Sequence, residues 1–296
     1  MTLPRQVLPG QTYLITRSCT QQQFLLRPSL ETNQNVSYCL ALAASRTGIL
    51  LHAVCFMSNH WHGVVTDPEA RLPEFLERFH QLLAKVQNVS LGRRENFWSS
   101  DKTSAVLLVS ESDVLRKIAY TLANPTASGL VRSPEEWPGL ISLRFSGIDV
   151  EMPDVFFDEY SELDDEVRLE FVRPSIFQQL SDDELSLAIR SQVNSLVQCT
   201  RREMEQRGRS FLGRKAVLRE SPSTIPKQPR HASELSPNIA AKSKTLRARA
   251  LQRLVAFRDS YRTAWLRRRD GEREVVFPAG TYALRIYGGV ACATPP

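Results

Sequence analysis

Two short strand-like runs separated by a two-residue turn constrain this chain most: Ile49 to Met57, then Ser58-Asn59, then His60 to Thr66. Both runs are rich in apolar and β-branched or aromatic residues, and so tight a turn makes them antiparallel neighbours. Neither could be satisfied alone in water. They need a surrounding sheet, and the flanking sequence supplies its parts.

Thr12 to Thr16 reads as a first strand. From Glu31 to Thr47 the apolar residues Val36, Leu40, Ala43 and Ala44 recur at helical spacing, and Gly48 provides the stop. Leu72, Phe75, Leu76, Phe79, Leu82, Leu83 and Val86 mark one face of a second helix that continues to Gly92. Ala105 to Val109 is a fourth strand. Ser110, with Asp113 three residues on, caps a helix expected to run to about Ala123, where Pro125 stops it. The order β-α-β-β-α-β predicts an α+β fold of ferredoxin-like plan: an antiparallel sheet with helices on one face, the other face open to carry a site, and an extra helix following.

The remaining half of the 296 residues is set apart by charge. Phe145 to Glu184 holds 13 acidic and 2 basic residues, whereas Arg201 to Arg273 holds 20 basic and 7 acidic. This predicts three segments: a catalytic domain over 1–145, an acidic connecting region over 146–200 and a basic, mainly helical extension over 201–296. A helix starts near Ser181-Asp182-Asp183-Glu184, Ser221 to Ser236 reads as a linker or extended arm, and Leu246 to Arg269 is helical again. A basic block of this size is the footprint of a nucleic-acid partner, because every neutralised phosphate releases counterion. Arg247, Arg249, Arg253, Arg258 and Arg262 on that helix, with Arg17 just after the first strand, are assigned to DNA contact. A solvated helical face is the competing reading of the block.

No apolar run approaches the roughly 20 residues of a membrane span, which argues against a membrane partner. Nothing near the N-terminus has the form of an export signal. The five cysteines are odd in number, scattered and never in C-x-x-C spacing, so they read as reduced thiols in a cytoplasmic chain, and the expected DNA partner makes it nucleoid-associated.

The chemistry concentrates in two places. Side chains alternate across a strand, so His60 and His62 share one face while Trp61 takes the other, and two imidazoles on one face make half of a metal site. A pair of hydrogen-bonded structural histidines is the plain alternative. Tyr120 and Asn124 lie four residues apart on one helical face. A phenol beside a divalent cation can attack phosphorus, and the Asn124 amide oxygen could join the same metal. The plain alternatives are a packed tyrosine and a helix-ending asparagine.

Met57-Ser58-Asn59-His60-Trp61-His62 resembles the M-P-N-H-x-H signature of HUH single-tyrosine transposases. Tyr120-Thr121-Leu122-Ala123-Asn124-Pro125, followed by Gly129-Leu130-Val131, resembles the Y-x-x-x-N-P-x-x-x-G-L-V segment of their REP-associated branch. The resemblance spans residues 10–145 approximately, with weaker echoes at Phe97-Trp98-Ser99-Ser100 and Trp137-Pro138. It departs at Ser58, where proline is usual. The resemblance implies cleavage and rejoining of hairpin-forming single-stranded DNA. Tyr120 would be the nucleophile of a 5′-phosphotyrosine intermediate, and His60, His62 and Asn124 the ligands of Mg²⁺ or Mn²⁺. Whether such a protein acts as a homodimer is left open. Two other functions compete: a DNA-binding or regulatory protein that kept the fold and lost catalysis, and a metal-dependent phosphohydrolase that makes no use of the tyrosine.

Overall fold

A computed structural model describes residues 4–156, 163–226 and 237–295. Four strands, β1 (Gln11–Ser18), β2 (Leu50–Met57), β3 (His60–Asp67) and β4 (Ser104–Leu108), form an antiparallel sheet in the order β2-β3-β1-β4. With α1 (Leu30–Thr47), α2 (Leu72–Ser90) and α3 (Glu111–Ala127), this is the ferredoxin-like plan that the sequence predicts.

Local chemistry fixes the element ends. The Ser29 side chain accepts from Thr32 N at 3.0 Å to start α1, and Gly48, left-handed at φ 69°, ends it. The buried Asp67 carboxylate accepts from Arg71 N and Leu72 N, both at 2.8 Å, and so ties the end of β3 to the start of α2. Ser110 accepts from Asp113 N to cap α3. Pro125 does not stop that helix. It sits within the last turn, where its missing N–H costs only the bond to the Thr121 carbonyl, and α3 continues to Ala127.

Two cores lie on opposite faces of the sheet. One joins Ile15, Val54, Trp61 and Val65 to α1 and α2. Trp61 is fully buried there, stacked on Phe56 with ring centroids 5.4 Å apart. Gly63, on the same face, leaves space for the indole, since a Cβ would stand 2.5 Å from the ring. The other core joins Leu14, Ala53, Val64 and Val106 to Val114, Ile118 and Leu122 of α3. It also takes Leu185, Ile189, Val193 and Val197 of α4 (Asp182–Gln206). The face expected to be open is therefore roofed by α3 and α4, because the apolar side chains of these strands alternate to both faces and each side must be covered.

The acidic region contributes a hairpin, β5 (Gly147–Glu151) and β6 (Glu166–Glu170), whose Val150, Val167 and Leu169 join the α1 core. The start of α4 carries a reciprocal capping box between Ser181 and Glu184. After α5 (Arg214–Arg219) the chain leaves the described residues, so most of the expected linker, 227–236, lies outside them. It returns as β7 (Ile239–Ala240), which pairs in parallel with β4, Leu107 opposite Ile239 and Leu108 opposite Ala240. The sheet thus has five strands and is mixed, where an antiparallel one is expected. Helix α6 (Lys244–Arg269) follows, and its Ala264 packs on Val275, Phe277 and Val290, around the short α7 (Ala283–Gly288). No helix among the described residues is long and apolar enough to cross a membrane. All five cysteines are free thiols.

Candidate active site

The site begins on β3. Alternation places His60, His62, Val64 and Thr66 on the α3 side, and the two imidazoles stand edge to face with centroids 4.8 Å apart. Each ring is held at Nδ1. Asn59 Oδ1 lies 2.7 Å from that of His60, and Thr16 Oγ1, from the paired position on β1, lies 2.8 Å from that of His62. Oxygen partners at Nδ1 fix ring orientation and leave Nε2 as the nitrogen that could take a ligand role, as in histidines that bind metals. Neither Asn59 nor Thr16 was singled out by the sequence. In the sequence Asn59 serves as turn chemistry, and the role of Thr16 depends on strand register.

Tyr120 comes from α3. Its ring lies 5.4 Å from that of His62, the planes at 74°, so the phenol stands against the histidine pair. Asn124, one turn further along α3, is buried and accepts from Ser128 Oγ at 3.3 Å. The helix continues past it, so Asn124 does not end α3. Lys117, one turn before Tyr120, places its ammonium 5.1 Å from the phenol ring centroid. Burial, with Arg116 adding to it, holds the Lys117 pKa below the usual lysine value. A helical offset of three residues from Tyr120 could have flagged Lys117 in the sequence.

Among the described residues no group of three or more His, Cys, Asp or Glu side chains gathers. A cation here would have two imidazoles and, as third donor, a neutral amide such as Asn124. That nitrogen-rich set fits a borderline divalent ion such as Mn²⁺ better than Mg²⁺, which prefers an all-oxygen shell.

Two further histidines among the described residues, His52 and His80, belong to the framework. His52 occupies the irregularity in β2 between Leu51 and Ala53, Nδ1 against Val172 O at 2.8 Å and Nε2 against Thr66 Oγ1 at 2.7 Å. His80 accepts from Trp61 Nε1 at 3.2 Å. Burial depresses both, His52 to about 4 and His80 to about 3.

The arginines assigned to DNA separate into three places. Arg17 neighbours Thr16 along β1 and so faces the opposite side of the sheet from the histidine pair. Its guanidinium lies 5.8 Å from the Trp98 ring centroid and donates to Thr103 Oγ1 at 2.6 Å, in a cleft of about 550 Å³. On α6, at about 100° per residue, Arg247, Arg258 and Arg262 fall on one side and Arg249 and Arg253 on the other. They do not form one stripe. Of the five, Arg247 alone lines the cleft at Tyr120.

No family model matches this chain, and no curated protein sequence matches it. Among solved structures, a REP-associated tyrosine transposase bound to a REP hairpin is similar at 18% identity over 47% of this chain and 81% of that one, with a TM-score of 0.38. A candidate transposase from Deinococcus radiodurans R1 is similar at 16% identity over 36% of this chain and 85% of that one, with a TM-score of 0.28.

Proposed function

We propose that this chain is a metal-dependent transposase that cleaves and rejoins single-stranded, hairpin-forming DNA through a 5′-phosphotyrosine intermediate. The observation that carries the reading is the placement of Tyr120 against His62, with His60 beside it. A nucleophile that phosphoryl transfer can use thereby stands beside the two side chains of the site best suited to hold a cation.

In the reaction, Tyr120 Oη forms a bond to the phosphorus of a DNA phosphodiester while the bond to the 3′-oxygen breaks. The phenolic proton is transferred, in net, to the departing oxygen, which leaves as a 3′-hydroxyl. Attack of a 3′-hydroxyl on the phosphotyrosine reverses the step and rejoins strands without added energy, because one phosphodiester replaces another. His60, His62 and Asn124 would hold Mg²⁺ or Mn²⁺, which when bound polarises the phosphate and offsets the charge developing on it. The sheet and α3 supply orientation, since the phenol ring lies against His62 of β3 and beside the Lys117 ammonium of its own helix.

The test is incubation with Mn²⁺ and labelled single-stranded hairpin oligonucleotides, followed by denaturing electrophoresis. A denaturant-resistant protein–DNA adduct is expected. Tight binding without any adduct across a metal titration would instead identify a DNA-binding protein that has lost catalysis.

A further inference from the structure

The cleft at Tyr120 is built by two distant parts of the chain. It has a volume of about 400 Å³ and is lined by Arg116, Lys117 and Tyr120 of α3, Leu196 of α4, and Ile239, Ala240, Ala241 and Arg247 of the extension. Three cationic residues line it with the phenol, Lys117 lying over the Tyr120 ring, and Leu196, Ile239 and Ala240 make an apolar side.

The extension enters this cleft through hydrogen-bonded joints. β7 pairs in register with β4, and Leu107 N donates to Asn238 O at 2.9 Å. Lys242 N donates to Asp113 Oδ1 at 2.8 Å, and Asp113, fully buried, also accepts from Ser110 Oγ and Arg116. Ser243 then caps α6 by accepting from Leu246 N, which sets the position of Arg247 one turn in. Asp113, paired with Arg116, is the carboxylate nearest to the cluster in these contacts, and it already accepts from three donors, Ser110 Oγ, Arg116 and Lys242 N. One carboxylate does not neutralise three cations.

We propose that the C-terminal extension completes the tyrosine site, with Lys117 and Arg247 closing a subsite for a backbone phosphate of the single-stranded DNA next to the phosphate that Tyr120 attacks. A phosphodiester fits both halves of the cleft: its oxygens suit the cations, and the attached sugar suits the apolar side made by Leu196, Ile239 and Ala240. Held at two points, the strand presents the neighbouring phosphate to the phenol. The half-buried Lys117 ammonium, disfavoured by burial and by Arg116 and only partly offset by Asp113, gains a further counter-charge when the anion arrives. This subsite rests on the reading of Tyr120 as the nucleophile, yet its binding is measurable apart from the chemistry.

The experiment is fluorescence anisotropy with a labelled single-stranded hairpin oligonucleotide over a salt series, using the full chain and its Lys117→Gln, Arg247→Gln and Lys117→Arg variants. Arg78→Gln, remote on α2, is the control. Each glutamine variant should bind several-fold more weakly and lose about 0.7 from the log–log salt slope, as expected for one lost phosphate contact. Lys117→Arg should restore the slope, and unfolding midpoints should match the parent. If both glutamine variants keep the parent affinity and slope while the parent still forms the tyrosine adduct, the subsite is overturned and the proposed function stands. If the slopes fall as expected but the parent forms no adduct, the cleft holds DNA and the catalytic reading fails.

Discussion

The phenol of Tyr120 meets the imidazole of His62 edge to face, with ring centroids 5.4 Å apart. The two residues belong to different elements, α3 and β3, so this distance is set by the packing of Val64 and Leu14 against Ile118 and Leu122 beneath them. Nucleophile and histidine pair are aligned by the core, and each can be tested separately.

Tyr120→Phe should abolish the covalent adduct and leave hairpin-DNA affinity within a few-fold. The ring keeps its packing on His62 and its face to Lys117, and only the reactive oxygen is lost. Denaturing electrophoresis against an anisotropy titration checks this. An adduct formed by the phenylalanine variant would place the nucleophile elsewhere.

His60→Ala and His62→Ala should each remove metal-dependent cleavage, since the two ligands left rarely hold a labile divalent ion, whereas Asn124→Ala should weaken it less. Thr16→Val removes the oxygen at His62 Nδ1 and keeps the shape. It should raise the metal concentration needed for half-maximal cleavage by about 10- to 100-fold, with the plateau rate recovered at saturating Mn²⁺. A Thr16→Val titration curve that overlays the parent's would show that the hydrogen bond does not support a ligand.

Stability should fall on acidification. His52, depressed to about 4, and His80, to about 3, are neutral when folded, and each has an ordinary value near 6.5 when unfolded. Above that pH neither contributes to the pH dependence. Below it the unfolded chain takes up protons that the folded chain refuses, at about 1.4 kcal/mol per pH unit for each histidine. Between pH 6.5 and 5 this amounts to about 2 kcal/mol per histidine. Denaturant unfolding at the two pH values should show the loss. His80→Gln, which retains an acceptor for Trp61 Nε1, should remove its share of the difference; an unchanged difference would assign the acid sensitivity to other groups.

Neutralising Arg258 and Arg262 together should lower the salt slope for single-stranded DNA without altering adduct yield at saturating DNA. Both project from the Arg247 side of α6 and so could follow a strand leaving the Tyr120 cleft. An unchanged slope would mark that side of the helix as solvated surface.

The histidine pair and the tyrosine–asparagine pair were legible because strand alternation and helical spacing are local rules, and the elements carrying them are long and strongly patterned. Thr16 and Lys117 reach the site through register and cleft shape, which no local period encodes. The end of α3 differs from the sequence expectation because Pro125 is a barrier in a helix interior, whereas in a last turn it forfeits one bond. β7 could not be found at all, since two residues carry no periodicity. The open face was an error of a different kind: the α4 stripe Leu185, Ile189, Val193 and Val197 is visible in the sequence, but the surface it covers is decided by the fold.

β7 also governs the order in which this protein can be made. Ile239 and Ala240 seal the exposed backbone of β4, a strand synthesised some 130 residues earlier. Until they emerge from the ribosome, a folded N-terminal portion carries an unpaired sheet edge bearing Val106 and Leu108, the kind of surface that recruits strands from other molecules. A chain shortened before residue 237 would keep Tyr120 and both histidines yet remain prone to self-association through that edge. Its solution size, more than its chemistry, would reveal what the extension was protecting.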